Sequence, residues 1–170
     1  MKSRFHAKSR CNTSRVRSAA IYAFGQLGQD NDKVFSILLN LARSSAIHTE
    51  VRSNAIKVLG QLGRAEDTVF STLCDLARTQ WPGYQVRSAA AEALGRLGRT
   101  DDIVISTLTD LICDITLNEW VRHAAVQALG QLGCADETIL SSLHNLARDK
   151  GAPDSVRRAA YDSLKKLLEG

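Results

Sequence analysis

One phrase recurs in this chain at a fixed interval of 35 residues. It reads VRSAAIYAFGQLG at residues 16–28, VRSNAIKVLGQLG at 51–63, VRSAAAEALGRLG at 86–98, VRHAAVQALGQLG at 121–133 and, more loosely, VRRAAYDSLKKLL at 156–168. A regular period of this length is the signature of stacked supersecondary units, each too small to bury its own apolar surface. The period therefore limits the fold more strongly than the composition does.

The apolar residues within the phrase have the spacing of a helix. In the first copy they occupy positions 16, 19, 20, 23, 24 and 27, which form one helical face. A glycine ends each of the first four copies, where a helix C-terminus favours a left-handed residue. The phrase thus predicts an amphipathic helix that stops at Gly28, Gly63, Gly98 or Gly133.

A second amphipathic run follows each of these helices. The runs are DKVFSILLNLAR from Asp32, DTVFSTLCDLAR from Asp67, DIVISTLTDLIC from Asp102 and ETILSSLHNLAR from Glu137. Each 35-residue unit is therefore two antiparallel helices with one apolar stripe apiece, and stacking is what buries the stripes. The sequence predicts an all-α fold, an α-solenoid of four to five antiparallel helix pairs over residues 16–170.

The pattern VRxxAxxALGxLG resembles the HEAT repeat, in the short bacterial form of the PBS lyase HEAT-like repeats. Tetratricopeptide units, which have a similar length, carry recurrent aromatic residues and prolines that this chain lacks. The resemblance covers residues 16–170 and implies an armadillo-like superhelix that acts in protein binding. It is specific for fold and weakly specific for function.

An arginine follows the valine in every copy, and we expect it at the repeat junctions, contacting helix-end carbonyls or nearby acids. The family usually has Asp-Pro before this helix, and the chain departs from that pattern. The position three residues before the valine holds Thr13, His48, Gly83, Asn118 and Pro153.

A glycine also occurs in the middle of the first four phrases, at positions 25, 60, 95 and 130. Each costs about 1 kcal/mol relative to alanine. Close approach of another backbone would explain them.

One face of the phrase varies between copies that otherwise barely differ. Positions 18, 22, 25 and 26 lie opposite the apolar stripe, and one helix of each pair usually lines the concave side of a solenoid. The candidate partner-binding residues there are Tyr22, Gln26, Lys57, Gln61, Glu92, Arg96, His123, Gln127 and Gln131, with Arg158, Asp162 and Lys166 in the last copy. An unconstrained solvated face would look the same.

Aromatic residues extend this candidate surface. Trp120 precedes Val121 and should lie on the same face as His123. The loop TQWPGYQ adds Trp81 and Tyr84 one repeat earlier. An aromatic cluster that anchors a partner is one interpretation, and folding of both tryptophans over helix ends is the other.

Residues 1–15 are a basic N-terminal tail or a truncated repeat, and residues 16–170 are the repeat domain. Because the first helix lacks a preceding partner, we expect it to expose Val16, Ile21 and Phe24. The chain would then be the C-terminal part of a longer repeat protein, or a second copy would cover this end as a homodimer.

The charge pattern does not favour a nucleic-acid protein. The net charge is +4, but residues 1–15 carry five basic residues and no acid, so the repeat region is nearly neutral. No apolar stretch has the length of a membrane span and no signal peptide is evident, so we expect a cytoplasmic protein.

No catalytic motif, metal-ligand spacing or phosphate loop is present, so neither an enzyme nor a cofactor is expected. The four cysteines show no metal-type or disulfide-type spacing. The favoured function is a noncatalytic scaffold for protein–protein interaction that binds a partner protein or peptide on the concave face. The alternative implied by the resemblance is a phycobilin lyase-like subunit that acts on a tetrapyrrole chromophore.

Overall fold

A computed structural model describes residues 16, 19–26, 31–79 and 83–169. Nine helices and no strand occur in these ranges. The helices are α1 (residues 19–26), α2 (Asp32–Arg43), α3 (Thr49–Leu62), α4 (Asp67–Arg78), α5 (Tyr84–Leu97), α6 (Asp102–Cys113), α7 (Glu119–Leu132), α8 (Glu137–Arg148) and α9 (Asp154–Glu169). The predicted tail at 1–15 lies outside the described residues.

The helices form two layers. The odd helices carry the VR phrase and pack in series, α3 on α5, α5 on α7 and α7 on α9. Each even helix packs against the odd helix that follows it, and the even helices contact one another less extensively. Successive hairpins therefore lie side by side, and the predicted α-solenoid is confirmed.

The core between the layers repeats with the sequence period. Leu59, Leu94 and Leu129 of the odd helices are fully buried, as are Leu73 and Leu108 of the even helices. Apolar side chains of one hairpin thus pack against the next hairpin, which makes one continuous core along the stack.

The helix ends follow the sequence prediction. Gly63, Gly98 and Gly133 follow the odd helices with φ of 68°, 72° and 68°, the left-handed conformation that glycine adopts without strain. At the other end, His48 Nδ1 accepts from the Glu50 N–H and Asn118 Oδ1 from the Trp120 N–H. Two of the residues that replace the family's Asp-Pro therefore still cap their helices.

Two mid-helix glycines, Gly60 and Gly95, allow consecutive odd helices to touch backbone to backbone. A Cβ placed on Gly95 would lie 2.6 Å from Ala128 Cα, and one on Gly60 would lie 2.9 Å from Ala93 Cα. In α9, where no described helix follows, the same position holds Lys165, which is exposed. The glycines are thus explained by helix-to-helix distance.

The phrase arginines lie at the junctions, as predicted. Arg52, Arg87 and Arg122 are buried. Their Nε atoms donate to the carbonyls of Ala42, Ala77 and Ile112 at 3.1, 2.9 and 3.2 Å. Each carbonyl belongs to the next-to-last residue of an even helix, so a positive charge lies where the helix dipole is negative.

Arg157 departs from this pattern, because it is half-buried and pairs with Asp154. Arg17 lies outside the described residues.

The first helix exposes part of its apolar face. Val16 is 64% and Phe24 is 42% exposed, as expected, but Ile21 is only 3% exposed. The expectation for Ile21 was wrong because its position in the repeat belongs to the core between the helices. Its counterparts Ile56 and Ala91 are buried in the same way.

Replacing Gly95 with alanine should destabilise the protein by about 1–3 kcal/mol, although alanine is the better helix former, because the added methyl overlaps the α7 backbone. The free energy of unfolding from urea titration measures this effect. The matched control is Lys165→Ala at the same repeat position, which should change stability by less than about 0.5 kcal/mol. Equal effects of the two substitutions would contradict the packing explanation.

Replacing Arg87 with alanine should cost about 2–3 kcal/mol, because a buried carbonyl loses a charged donor. Thermal or chemical unfolding measures the loss. Arg157→Ala is the comparison, since Arg157 is half-buried and lacks the carbonyl contact. It should cost clearly less than Arg87→Ala, and the reverse order would exclude the junction role.

Candidate functional site

The variable residues of the phrase share one surface. We call this surface the odd-helix face and define it by the candidates Tyr22, Gln26, Lys57, Gln61, Glu92, Arg96, His123, Gln127 and Gln131 together with Arg158, Asp162 and Lys166. All of these side chains are exposed or half-buried. Their neighbours on the opposite side of each odd helix belong to the core.

A groove of about 460 Å³ lies on the odd-helix face between α7 and α9. From α7 it is lined by His123, Gln127 and Gln131, three residues that the sequence singled out. From α9 it is lined by Ser155, Arg158, Ala159, Asp162, Ser163 and Lys166. The structure thus brings all six predicted odd-helix residues of the last two copies into one concavity.

Sequence reasoning missed Ser155, Ala159 and Ser163 as groove residues. They lie on the side of α9 that faces α7, at repeat positions that are core or helix-end in the other copies. A signal did exist, because Ser163 replaces the small apolar residues Ala93 and Ala128. Its Oγ donates to the Val126 carbonyl at 3.2 Å, which lines this gap with a polar group.

The polar side chains of the groove have few partners within the protein. Arg158, Asp162 and Lys166 have no ion pair or side-chain hydrogen bond among the described residues, and the same is true of Gln127 and Gln131. These side chains are not required to hold the helices together. They are therefore available to a ligand.

A smaller groove of about 120 Å³ occurs at the other end of the odd-helix face. It lies between α1 and α3 and is lined by Tyr22, Gly25, Gln26, Val58, Gln61 and Leu62. Three of these residues were predicted. Lys57, Glu92 and Arg96 lie on the face between the two grooves and line neither of them.

The predicted aromatic cluster is only partly described. Trp120 is 60% exposed and Tyr84 is 44% exposed, each in the first turn of its helix. No ring contact joins them, and neither lines the α7–α9 groove. Trp81 lies outside the described residues. Among the described residues, Trp120 is thus an exposed aromatic side chain without a ring contact.

Arginine clamps join neighbouring repeats at the turns that follow α3 and α5, and sequence reasoning missed them. Arg64 lies 2.8 Å from Asp32 Oδ1 and 2.7 Å from Glu66 Oε1, with its guanidinium 4.2 Å from the centre of the Phe35 ring. The sequence does contain a signal for this contact: the arginine and the phenylalanine occur together in two copies and are both replaced in the next copy.

The second clamp has the same composition. Arg99 pairs with Asp67 and Asp101 and lies 4.7 Å from the centre of the Phe70 ring. In the following repeat the corresponding residues are Cys134 and Ile105, so both partners of the ring contact are replaced.

A cavity of about 330 Å³ lies on the even-helix side, between α6 and α8. Arg43 donates to Thr72 Oγ1 across α2 and α4, and Arg78 donates to Ser106 Oγ across α4 and α6. Cys113 occupies the corresponding position in α6 and lines the cavity. Cys113 does not make the side-chain bridge that arginine makes in the two earlier copies, and the cavity between α6 and α8 lies at this position.

Titratable groups with a shifted pKa lie away from the α7–α9 groove. Burial raises the pKa of the Cys74 thiol, which keeps it protonated. Hydrogen bonds from Thr116, with smaller effects of Arg87 and Arg122, lower the pKa of Asp114. Neither shift places an acid or a base in the groove.

Within the described part of the chain, no group of three or more histidine, cysteine or acidic residues is arranged to hold a metal ion. Cys113 is exposed and Cys134 is half-buried, and both are free thiols. No described helix combines the length and hydrophobicity needed to cross a bilayer.

The stacked hairpins, their glycine contacts and the open odd-helix face define a helical-repeat protein of the α-solenoid class. The family model for HEAT repeats matches residues 46–116, and the model for the PBS lyase HEAT-like repeat matches residues 121–170. The chain belongs to the HEAT-repeat proteins, of the PBS lyase type. This confirms the resemblance read from the VR phrase.

Solved structures show the same fold. Human deoxyhypusine hydroxylase in complex with glycerol is 20% identical with a TM-score of 0.60 over 92% of this chain, and the chain spans 46% of that protein. An engineered protein is 16% identical with a TM-score of 0.57, covering 89% of this chain and 73% of its own.

The complex of CpcE and CpcF of phycocyanin lyase from a Nostoc species is 22% identical with a TM-score of 0.59, covering 85% of this chain and 98% of that chain. At these identities the likeness concerns the fold. A search of curated proteins gives no match to the sequence.

Proposed function

We propose that this protein is a noncatalytic interaction module that binds a segment of a partner protein on the odd-helix face, chiefly in the α7–α9 groove. The observation that carries the proposal is the 460 Å³ groove, in which the side chains of Gln127, Gln131, Arg158, Asp162 and Lys166 have no partner within the described structure. Such groups gain hydrogen bonds or ion pairs only from a ligand or from water. The helices beneath them are held independently of these side chains.

The spacing of the two layers supports a concave odd-helix face. Gly60 and Gly95 bring consecutive odd helices into backbone contact, whereas the even helices contact one another less extensively. When the helices of one layer are spaced more closely than those of the other layer, the stack curves toward the more closely spaced layer. Solenoids use their concave surfaces to bind extended partners.

Sequence variation within the chain supports a specific partner. The seventh position of the repeated phrase lies on the odd-helix face, and it holds Tyr22, Lys57, Glu92, Gln127 and Asp162 in successive copies. The junction arginines and mid-helix glycines stay the same through the internal copies. A constant frame therefore presents a different side chain at each step, which suits recognition of a partner segment with a defined sequence of its own.

A contact with a second copy at the α1 end is a separate proposal. Exposed Val16 and Phe24 support it, and it uses a surface distant in sequence from the α7–α9 groove. The two contacts could coexist on one molecule.

A lyase-like role is the second candidate, and the match to the PBS lyase HEAT-like repeat favours it. In that case the groove would hold a tetrapyrrole, with His123 and Arg158 near its polar groups. Mixing the protein with phycocyanobilin should then shift the visible absorption spectrum of the pigment. The shift should be lost in Arg158→Glu, whereas the interaction module predicts no shift.

Site-directed photocrosslinking tests the interaction module. A photoreactive benzoylphenylalanine at Gln127 should give a discrete covalent adduct with a protein in the cytoplasm of the source cells, where we expect the protein to act. The physical reason is that Gln127 lines the groove and is exposed. Gel shift followed by mass spectrometry measures the adduct.

The same photoreactive residue at Ser71 is the matched control, because Ser71 is exposed on the even helix α4. It should give no such adduct. Equal adducts from both positions, or adducts from Ser71 alone, would reject the odd-helix face as the binding surface.

A further inference from the structure

The α9 wall of the groove carries a regular row of charges. Arg158, Asp162 and Lys166 follow one another at intervals of four residues and all line the groove. One such interval corresponds to about 6 Å along a helix. The wall thus presents a positive, a negative and a positive group in a line, and none of them is paired within the described residues.

The α7 wall of the same groove is chemically different. Gln127 and Gln131 present amides, each of which offers N–H donors and a carbonyl acceptor. They carry no charge and have no hydrogen-bond partner in the described structure. Such a wall can satisfy both the N–H and the C=O groups of an extended peptide backbone.

We propose that the α7–α9 groove binds an extended partner segment in which acidic, basic and acidic side chains alternate with other residues, of the form Glu-X-Lys-X-Glu. In an extended chain, alternate side chains lie on one side at intervals of about 6.5–7 Å, close to the spacing of the charges on α9. Each peptide charge then meets its opposite on α9. The inference rests on the proposed function and specifies the partner.

The central Asp162 argues against a uniform polyanion such as nucleic acid. Asp162 lies between the two basic residues, so a continuous line of phosphates or glutamates would place one negative group against it. Alternating charge in the partner removes this repulsion. The groove should therefore discriminate between peptides by the charge of their middle residue.

Fluorescence anisotropy with the full chain and three labelled nonapeptides tests the inference. The peptides share one backbone and carry Glu-X-Lys-X-Glu, Lys-X-Glu-X-Lys or Glu-X-Glu-X-Glu at their centre. We expect the first to bind about tenfold more tightly than either of the others at low salt, because like charges face each other in both alternatives. The preference should shrink as salt is added.

A charge reversal sharpens the test. The variant Asp162→Lys should bind the all-glutamate peptide more tightly than Glu-X-Lys-X-Glu, which inverts the order found for the unaltered chain. Asp162 is exposed and unpaired, so the variant should fold, and its circular dichroism checks this. Asp75→Lys, an exposed aspartate on the even helix α4, should leave the original order unchanged.

Three results would overturn the inference: equal affinity for the three peptides, tightest binding of the all-glutamate peptide to the unaltered chain, or the same order in Asp162→Lys. The crosslinking at Gln127 separates this failure from that of the proposed function. A partner adduct at Gln127 without peptide discrimination keeps the interaction module and removes the charge pattern.

Discussion

The contact between a mid-helix glycine and the backbone of the next odd helix is the constraint on which this structure depends. At Gly60 and Gly95 there is no room for a Cβ, since the following helix lies within 2.9 Å of where that atom would be. Each glycine costs helix stability, and close interhelical packing offsets the cost. The contact fixes the distance between consecutive odd helices at these repeats.

The junction arginines connect the layer of odd helices, whose spacing depends on the glycines, to the layer of even helices. Arg87 is buried and donates to the C-terminal carbonyl of α4, so the odd helix of a hairpin is tied to the end of the even helix before it. Because packing and junctions use the inner surfaces, the outer surface of the odd helices stays free to vary. The separation of the packed frame from the exposed odd-helix face explains why Gln127 and Asp162 can differ at equivalent positions.

Much of the fold was predictable because the information is local and is repeated. The apolar period, the terminal glycines and the arginine after each valine appear four or five times, so single departures do not obscure them. Ile21 shows the limit, because a helical wheel gives the face of a residue but not which neighbour covers it. The clamp of Arg64 on Phe35 was missed since its partners are 29 residues apart and meet only in the stack.

The sequence by itself determined the hairpin, its 35-residue pitch and the set of side chains on the odd-helix face, because helical periodicity is a property of the chain taken alone. Only the tertiary structure decided where on that face a groove opens. That depends on how far α9 lies from α7 and on Ser163 in the gap between them. Interhelical distances arise from the fit of two surfaces, which neither helix encodes separately.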